Sequence, residues 1–221
     1  MFNKFPFDIK EKQLRRWLKE NKNIDLDEQD NLHDIVNKVI RSCKDCSRRL
    51  NNGVSGPVPP KLYKDSQVLI IVRSPNLDDD ELGNLFVPTT TLGALYDKML
   101  YELGIKYTIN SVTSVCHCPN KRNRRTELLD ENDIVACQKW KSLEELVTGK
   151  VPVVILMGDD PCRMVLSNRF ANVKGKYFYI GDTLIIPVPH PGSFRLEPNF
   201  KVLFDKTSGI YKELIQKKLS E

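Results

Sequence analysis

Uninterrupted apolar runs alternate with helical periodicities along this chain. Val68-Leu-Ile-Ile-Val72 contains no polar residue, the pattern of a strand buried on both faces. Val153–Met157 repeats it and ends at Gly158. Thr108–Cys116 predicts a further strand. Tyr177–Ile180 and Thr183–Pro187, joined by Gly181-Asp182, predict a hairpin that leads into a last central strand. Between these segments Leu92, Leu95, Tyr96, Met99, Leu100 and Leu103 mark one helical face, closed by Gly104 in the C′ position. Ile134–Val147 predicts one helix, and Asn199–Leu219 another. Asp160 and Pro161 suit the N-cap and first turn of a helix after Gly158. Toward the N-terminus, Asp8 and Glu11 form a capping-box pattern ahead of Leu14, Trp17 and Leu18. A second helix carries Leu32, Ile35, Val36, Val39 and Ile40 and runs into Cys43. Asp78-Asp79-Asp80-Glu81 reads as a loop, as does Asn51–Lys61.

Helices alternating with buried strands predict an α/β fold, in three α/β/α layers around a mostly parallel four-stranded sheet. The expected organisation is an N-terminal helical extension over 1–39 and one domain over 40–221. In such sheets ligands bind beyond the carboxyl ends of the strands. Here those ends are Arg73–Asn76, Ser114–Cys118, Gly158–Asp160 and His190–Ser193.

Composition narrows the partners. The 221 residues carry a net charge of +5, which permits nucleic acid without demanding it. The sharpest basic run is Lys121-Arg122-Asn123-Arg124-Arg125. No apolar stretch is long enough to span a membrane, and the N-terminus lacks the pattern of a secretory signal, so a cytoplasmic protein with no membrane partner is expected. Six cysteines in such a compartment point to metal binding or core packing rather than disulfides. Cys43-x-x-Cys46 presents two thiolates from one turn, a common half-site. Cys118, in a loop after a strand, and Cys137, inside a helix, are candidates for the two further thiolates. Cys116 and Cys162 read as core, although Cys162 sits in a first helical turn, where a thiol can become reactive. Spacing alone leaves zinc and an iron–sulfur cluster both open.

Several ordered segments resemble the family-4 uracil-DNA glycosylases. They are Cys43-x-x-Cys46-x-x-x-Leu50, Gly83-Asn-Leu-Phe86-Val87, Val112-Thr-Ser114-Val-Cys-His-Cys118 with Asn123-Arg124, Cys137-x-x-Trp140, Val173-Lys-Gly-Lys176, and Pro187-x-x-His190-Pro191. The resemblance implies a 4Fe–4S cluster, with zinc as the alternative, on Cys43, Cys46, Cys118 and Cys137. It implies that His190 stabilises the departing base and that Phe86 stacks on it. Two positions depart from the pattern. Arg73-Ser74-Pro75-Asn76 holds no carboxylate where the family carries a catalytic acid, and Ser114 stands in place of a base-reading Asn. Asn76 and Asp78 are candidates to supply the missing functions, and Arg73 to bind phosphate or base.

A DNA surface is expected from Arg122, Arg124, Arg125, Lys174, Lys176, Ser193, Phe194 and Arg195, with Phe194 as a wedge. Ser114 and His190 are expected on neighbouring loops facing a cleft at Arg73–Asn76. The resulting expectation is a glycosylase acting on single- or double-stranded DNA, with weak uracil activity or altered base specificity. A non-catalytic DNA-binding scaffold is the alternative. The N-terminal helices are a candidate contact for a protein partner.

Overall fold

The computed structural model describes residues 31–44, 46, 56–106, 109–119, 129–138 and 140–221. The helix expected around Leu14–Leu18 and the basic run 121–125, with Arg122, Arg124 and Arg125, lie outside the described residues.

Helix α1, Leu32–Ser42, is capped by Asn31, whose side chain accepts from the Asp34 amide. Strand β1, Val68–Val72, is followed by two helices, α2 (Leu77–Leu82) and α3 (Thr91–Glu102). Then come β2 (Asn110–Ser114), α4 (Glu131–Gln138), α5 (Lys141–Thr148), β3 (Val153–Met157), α6 (Asp159–Leu166) and α7 (Phe170–Val173). The chain ends with β4 (Phe178–Ile180), β5 (Thr183–Val188), a 3₁₀ turn at Pro191–Arg195, and the long helix α8 (Pro198–Ser220).

The sheet has five strands in the order β2-β1-β3-β5-β4. The first four are parallel, and β4 joins β5 antiparallel through the expected hairpin. The expected four-stranded parallel core is therefore present, with β4 added at one edge. One apolar layer joins β1, β3 and β5 to α3 and α8, through residues such as Ile70, Ile155, Tyr96 and Phe204. The layer on the opposite face joins Ile71, Val154 and Ile185 to Cys162 and Phe170.

Three expectations are corrected. The acidic stretch Asp78–Glu81 is helical, because Asn76 caps it and Gly83 closes it with φ of 67°. Ile134–Val147 is two helices, α4 and α5, meeting at Trp140. Helix α6 starts at Asp159 with Gly158 as its N-cap, so Asp160 stands inside the first turn rather than capping it. Helix α1 spans the expected boundary at 39/40, and its Ile35, Val36, Val39 and Ile40 pack with Trp140 and Val147.

Candidate active site

Strand order brings the carboxyl ends of β1, β3 and β5 side by side. His190 follows β5. Its Nδ1 accepts a hydrogen bond from the Gly192 amide at 3.1 Å. A neutral imidazole that accepts at Nδ1 carries its proton on Nε2, so His190 presents a donor. A Cβ on Gly192 would stand 3.2 Å from Nδ1, so glycine lets this amide approach. Ser193 Oγ donates to the His190 carbonyl at 2.6 Å, holding the turn closed. Burial, with the charge of Arg73 nearby, lowers the imidazole pKa to about 4. His190 is thus neutral at physiological pH.

Phe86 lies beside it, with ring centroids 6.1 Å apart. The Phe86 ring is 2% exposed and stacks parallel on Tyr96 at 4.2 Å. Its backbone has φ of +48°, a left-handed conformation that a bulky residue rarely adopts. Asp79 holds it there. One carboxylate oxygen accepts from the Phe86 amide at 2.7 Å, and the other from the Asn76 amide at 2.9 Å. Burial raises the Asp79 pKa to about 6, against these two backbone bonds. Helix α3 also presses on the segment, since a Cβ on Gly93 would sit 1.9 Å from the Val87 carbonyl oxygen.

Asn76 is part of this clamp. Its Oδ1 accepts from the Asp79 amide at 2.9 Å, while its buried Nδ2 has no hydrogen-bond partner. Asp78 is exposed in the first turn of α2. The buried carboxylate of the acidic run is therefore its neighbour, Asp79.

Arg73, after β1, pairs through Nε with Oδ2 of Asp160 at 3.0 Å. The other Asp160 oxygen takes Arg163 at 3.3 Å and the Leu129 amide at 3.3 Å. Burial raises the Asp160 pKa, with Arg73 opposing. The carboxylate beside Arg73 thus comes from the first turn of α6 rather than from the loop after β1, and it is already engaged by two arginines.

Ser114 ends β2 opposite Val72, the last residue of β1, and the Cys116 amide two residues on donates to the Arg73 carbonyl at 3.1 Å, so Ser114 borders the Arg73 loop. Strand β2 is separated from β5 by β1 and β3, so Ser114 and His190 are not on neighbouring loops. Ser114 is fully buried. Its Oγ stands 3.4 Å from His117 Nδ1, and His117 Nε2 stands 2.8 Å from Glu144 Oε1. Lys141 Nζ donates to the Ser114 carbonyl at 2.6 Å, to Thr113 Oγ1 at 3.0 Å and to Glu144 at 3.1 Å. Burial opposes charge on Glu144, but Lys141 and His117 overcome it and hold its pKa at about 2.

Three of the four predicted ligands lie on segments bordering this network, Cys43, Cys118 and Cys137. Cys43 packs against the cluster containing Trp140. The Cys137 thiol is held at a pKa of about 6 by a hydrogen bond with Cys116, against burial, and with help from His117 and its backbone amide. Among the described residues, no three His, Cys, Asp or Glu side chains form a group able to hold a metal ion. Cys162 is core, as expected, with burial pushing its pKa up to about 12.

On the surface, Lys174, Lys176 and Arg195 are exposed. Phe194 turns inward against Phe204, with centroids 5.8 Å apart, and packs on the core rather than projecting as a wedge. A hollow of about 460 Å³ lies between α4 and the end of α6, lined by Ile134, Met164, Arg163 and Arg169 among others. It contains none of the candidate catalytic residues. No described helix is long and apolar enough to cross a membrane.

Sequence reasoning missed the roles of Asp79, Asp160, Lys141 and Glu144. Only Asp79 left a local signal: Asn76-x-x-Asp79 has the N-cap and N3 spacing of a capping box.

The family model described as the uracil DNA glycosylase superfamily matches residues 59–208, more than half of the 221-residue chain. A search of curated proteins found no match.

Proposed function

The chain belongs to the uracil DNA glycosylase superfamily, and from that premise we propose that it binds DNA and cleaves an N-glycosidic bond, with weak uracil activity or altered base specificity. One observation carries the reading. A neutral His190, fixed as an Nε2–H donor, stands beside Phe86 and within reach of the Arg73 charge.

Such an enzyme must first take its nucleotide out of the base stack. Bond cleavage then leaves negative charge on the departing base and positive charge on the sugar. Here the base side is well provided. His190 donates to a base oxygen as charge develops there, and a neutral donor does so without having to give up its proton. The nearby Arg73 favours the same anion. Phe86 supplies an apolar wall fixed by Asp79 and Tyr96, and the unpartnered Nδ2 of Asn76 supplies an amide donor.

The sugar side is poorly provided. The loop 73–76 has no carboxylate, and Asp160 is committed to Arg73 and Arg163. Water activation and cation stabilisation are therefore the weak steps. Ser114, enclosed by His117 and Lys141, is too withdrawn to read a base as an amide would.

The engaged Arg73–Asp160 pair also favours a second reading, a DNA-binding scaffold that no longer cleaves. Single-turnover assays on oligonucleotides bearing different bases separate the two. Cleavage by wild type that disappears in His190→Ala supports the enzyme. Tight binding with no cleavage of any base supports the scaffold.

The cysteines are proposed to bind a 4Fe–4S cluster, or zinc, as a folding element remote from the chemistry. This rests on the order of Cys43, Cys46, Cys118 and Cys137 along the chain and on the packing of the Cys43 segment against Trp140, three residues from Cys137. Iron and acid-labile sulfide in anaerobically purified protein would support it. Stoichiometric zinc would select the alternative, and neither would reject the site.

A further inference from the structure

Strand β4 is the sheet's edge, and its outer side carries aromatic rings. Tyr177 and Tyr179 are 47% and 55% exposed, with centroids 6.2 Å apart in edge-to-face contact. They alternate with Phe178, which packs inward with the Cys162–Phe170 layer, so both tyrosines project on the opposite side. Exposed Lys174 and Lys176 precede them. At the far end Lys150 pairs with Asp182, and Lys218 stands beside Asp182 and Tyr179 and pairs with Glu221. Lysines thus outnumber carboxylates along the strip.

We propose that this face of β4 is a stacking platform for a single-stranded nucleic-acid segment running on from the His190 cleft. The inference rests on the glycosylase reading and extends it to flanking nucleotides. Phe178 pairs with Ile185, and His190 lies five residues beyond Ile185. That is about 17 Å at the rise of a strand, within reach of a few nucleotides. Exposed rings beside cations match the sequence-tolerant binding of single strands, in which bases stack on aromatic faces while lysines neutralise phosphates. Addition of a protein strand is disfavoured, because β4 has only three residues and lysines on both flanks blunt the edge.

The test uses the full chain, with uracil-containing single-stranded DNA of about 4 and about 12 nucleotides, lengths that bracket common single-strand site sizes. Tyr177→Ala/Tyr179→Ala should weaken binding of the longer DNA on the order of tenfold or more. The shorter DNA should bind unchanged. Tyr177→Phe/Tyr179→Phe should retain wild-type affinity, since the rings remain. Unchanged affinity for the longer DNA in the alanine variant overturns the platform. So does a wild-type dimer, seen by sedimentation, that the alanines dissociate without affecting DNA binding; that face would then serve a second copy. Wild type that binds neither length overturns the glycosylase reading along with the platform. Binding of both lengths, insensitive to the alanines, overturns the platform alone.

Discussion

Two histidines stand just beyond parallel strands of the same sheet, and their surroundings assign them different work. His117, after β2, is 1% exposed and engages at both ring nitrogens, Ser114 on one side and Glu144 on the other. His190, after β5, engages only Nδ1 among the described residues, through the Gly192 amide. The first is closed by a buried charge network that includes Lys141. The second keeps a donor beside the Phe86 ring. The pair shows that a place beyond a parallel strand does not by itself leave a ring nitrogen uncommitted. An uncommitted, oriented nitrogen is the property that distinguishes His190.

The largest effect that would sharpen this contrast lies in the closed network. Glu144→Ala leaves Lys141 and His117 without their buried counter-charge. Removing one member of a buried pair costs about 3–5 kcal/mol. The expected outcome is a matching loss in denaturant midpoint, with the slope unchanged. Near-wild-type stability would show that water reaches the network and that the contrast is overdrawn.

Next in size is His190→Ala. Loss of one charge-stabilising donor costs on the order of a hundredfold in rate or more. Single-turnover cleavage should fall by that factor with DNA affinity retained, beside a stability loss of about 1–3 kcal/mol because the Gly192 amide loses its acceptor. Equal cleavage rates in both proteins would remove His190 from the chemistry.

Asp79→Ala should have an intermediate effect. It leaves the buried Phe86 amide without its acceptor, at a cost of about 1–3 kcal/mol. Because Phe86 holds φ of +48°, its segment should relax and substrate affinity should fall along with stability. Asp78→Ala, at an exposed position, is the control and should change neither. If Asp78→Ala lost turnover while Asp79→Ala kept it, the acidic run would have to be reassigned.

The sequence made the fold legible because strand burial and helix periodicity are local signals. Val68–Val72 and Val153–Met157 are strands to the residue, and the hairpin into β5 was visible in Gly181-Asp182. The position of His190 just beyond a central strand was legible, as was the core place of Cys162. What stayed hidden depends on long-range contact. Asp160 reads as a helix start until β1 brings Arg73 to it. Glu144 gave no signal along the chain, and only the packing of α5 brings it to His117. Phe194 reads as an exposed loop aromatic until α8 places Phe204 beneath it. Chain separation, rather than weak chemistry, concealed these pairings.

The smallest effect is a cancellation around the Phe86 pocket. The His190 pKa is lowered to about 4 by burial, so between pH 6.5 and 4 the unfolded imidazole takes up a proton that the folded one refuses. That lowers stability as pH falls. The Asp79 pKa is raised to about 6 from 3.8 by burial, so between pH 6 and 4 the folded carboxyl takes up a proton that the unfolded one does not. That raises stability as pH falls. The two slopes have opposite sign over nearly the same window, each at most about 1.4 kcal/mol per pH unit. Their summed contribution should be close to flat there. Differences between each variant and wild type remove the background of other titrating groups. Asp79→Asn should therefore lose stability more steeply than wild type on acidification from pH 6 to 4, and His190→Gln less steeply. Parallel curves for all three proteins would show that neither burial penalty survives in solution, and that the His190 side of the cleft is as hydrated as an ordinary surface.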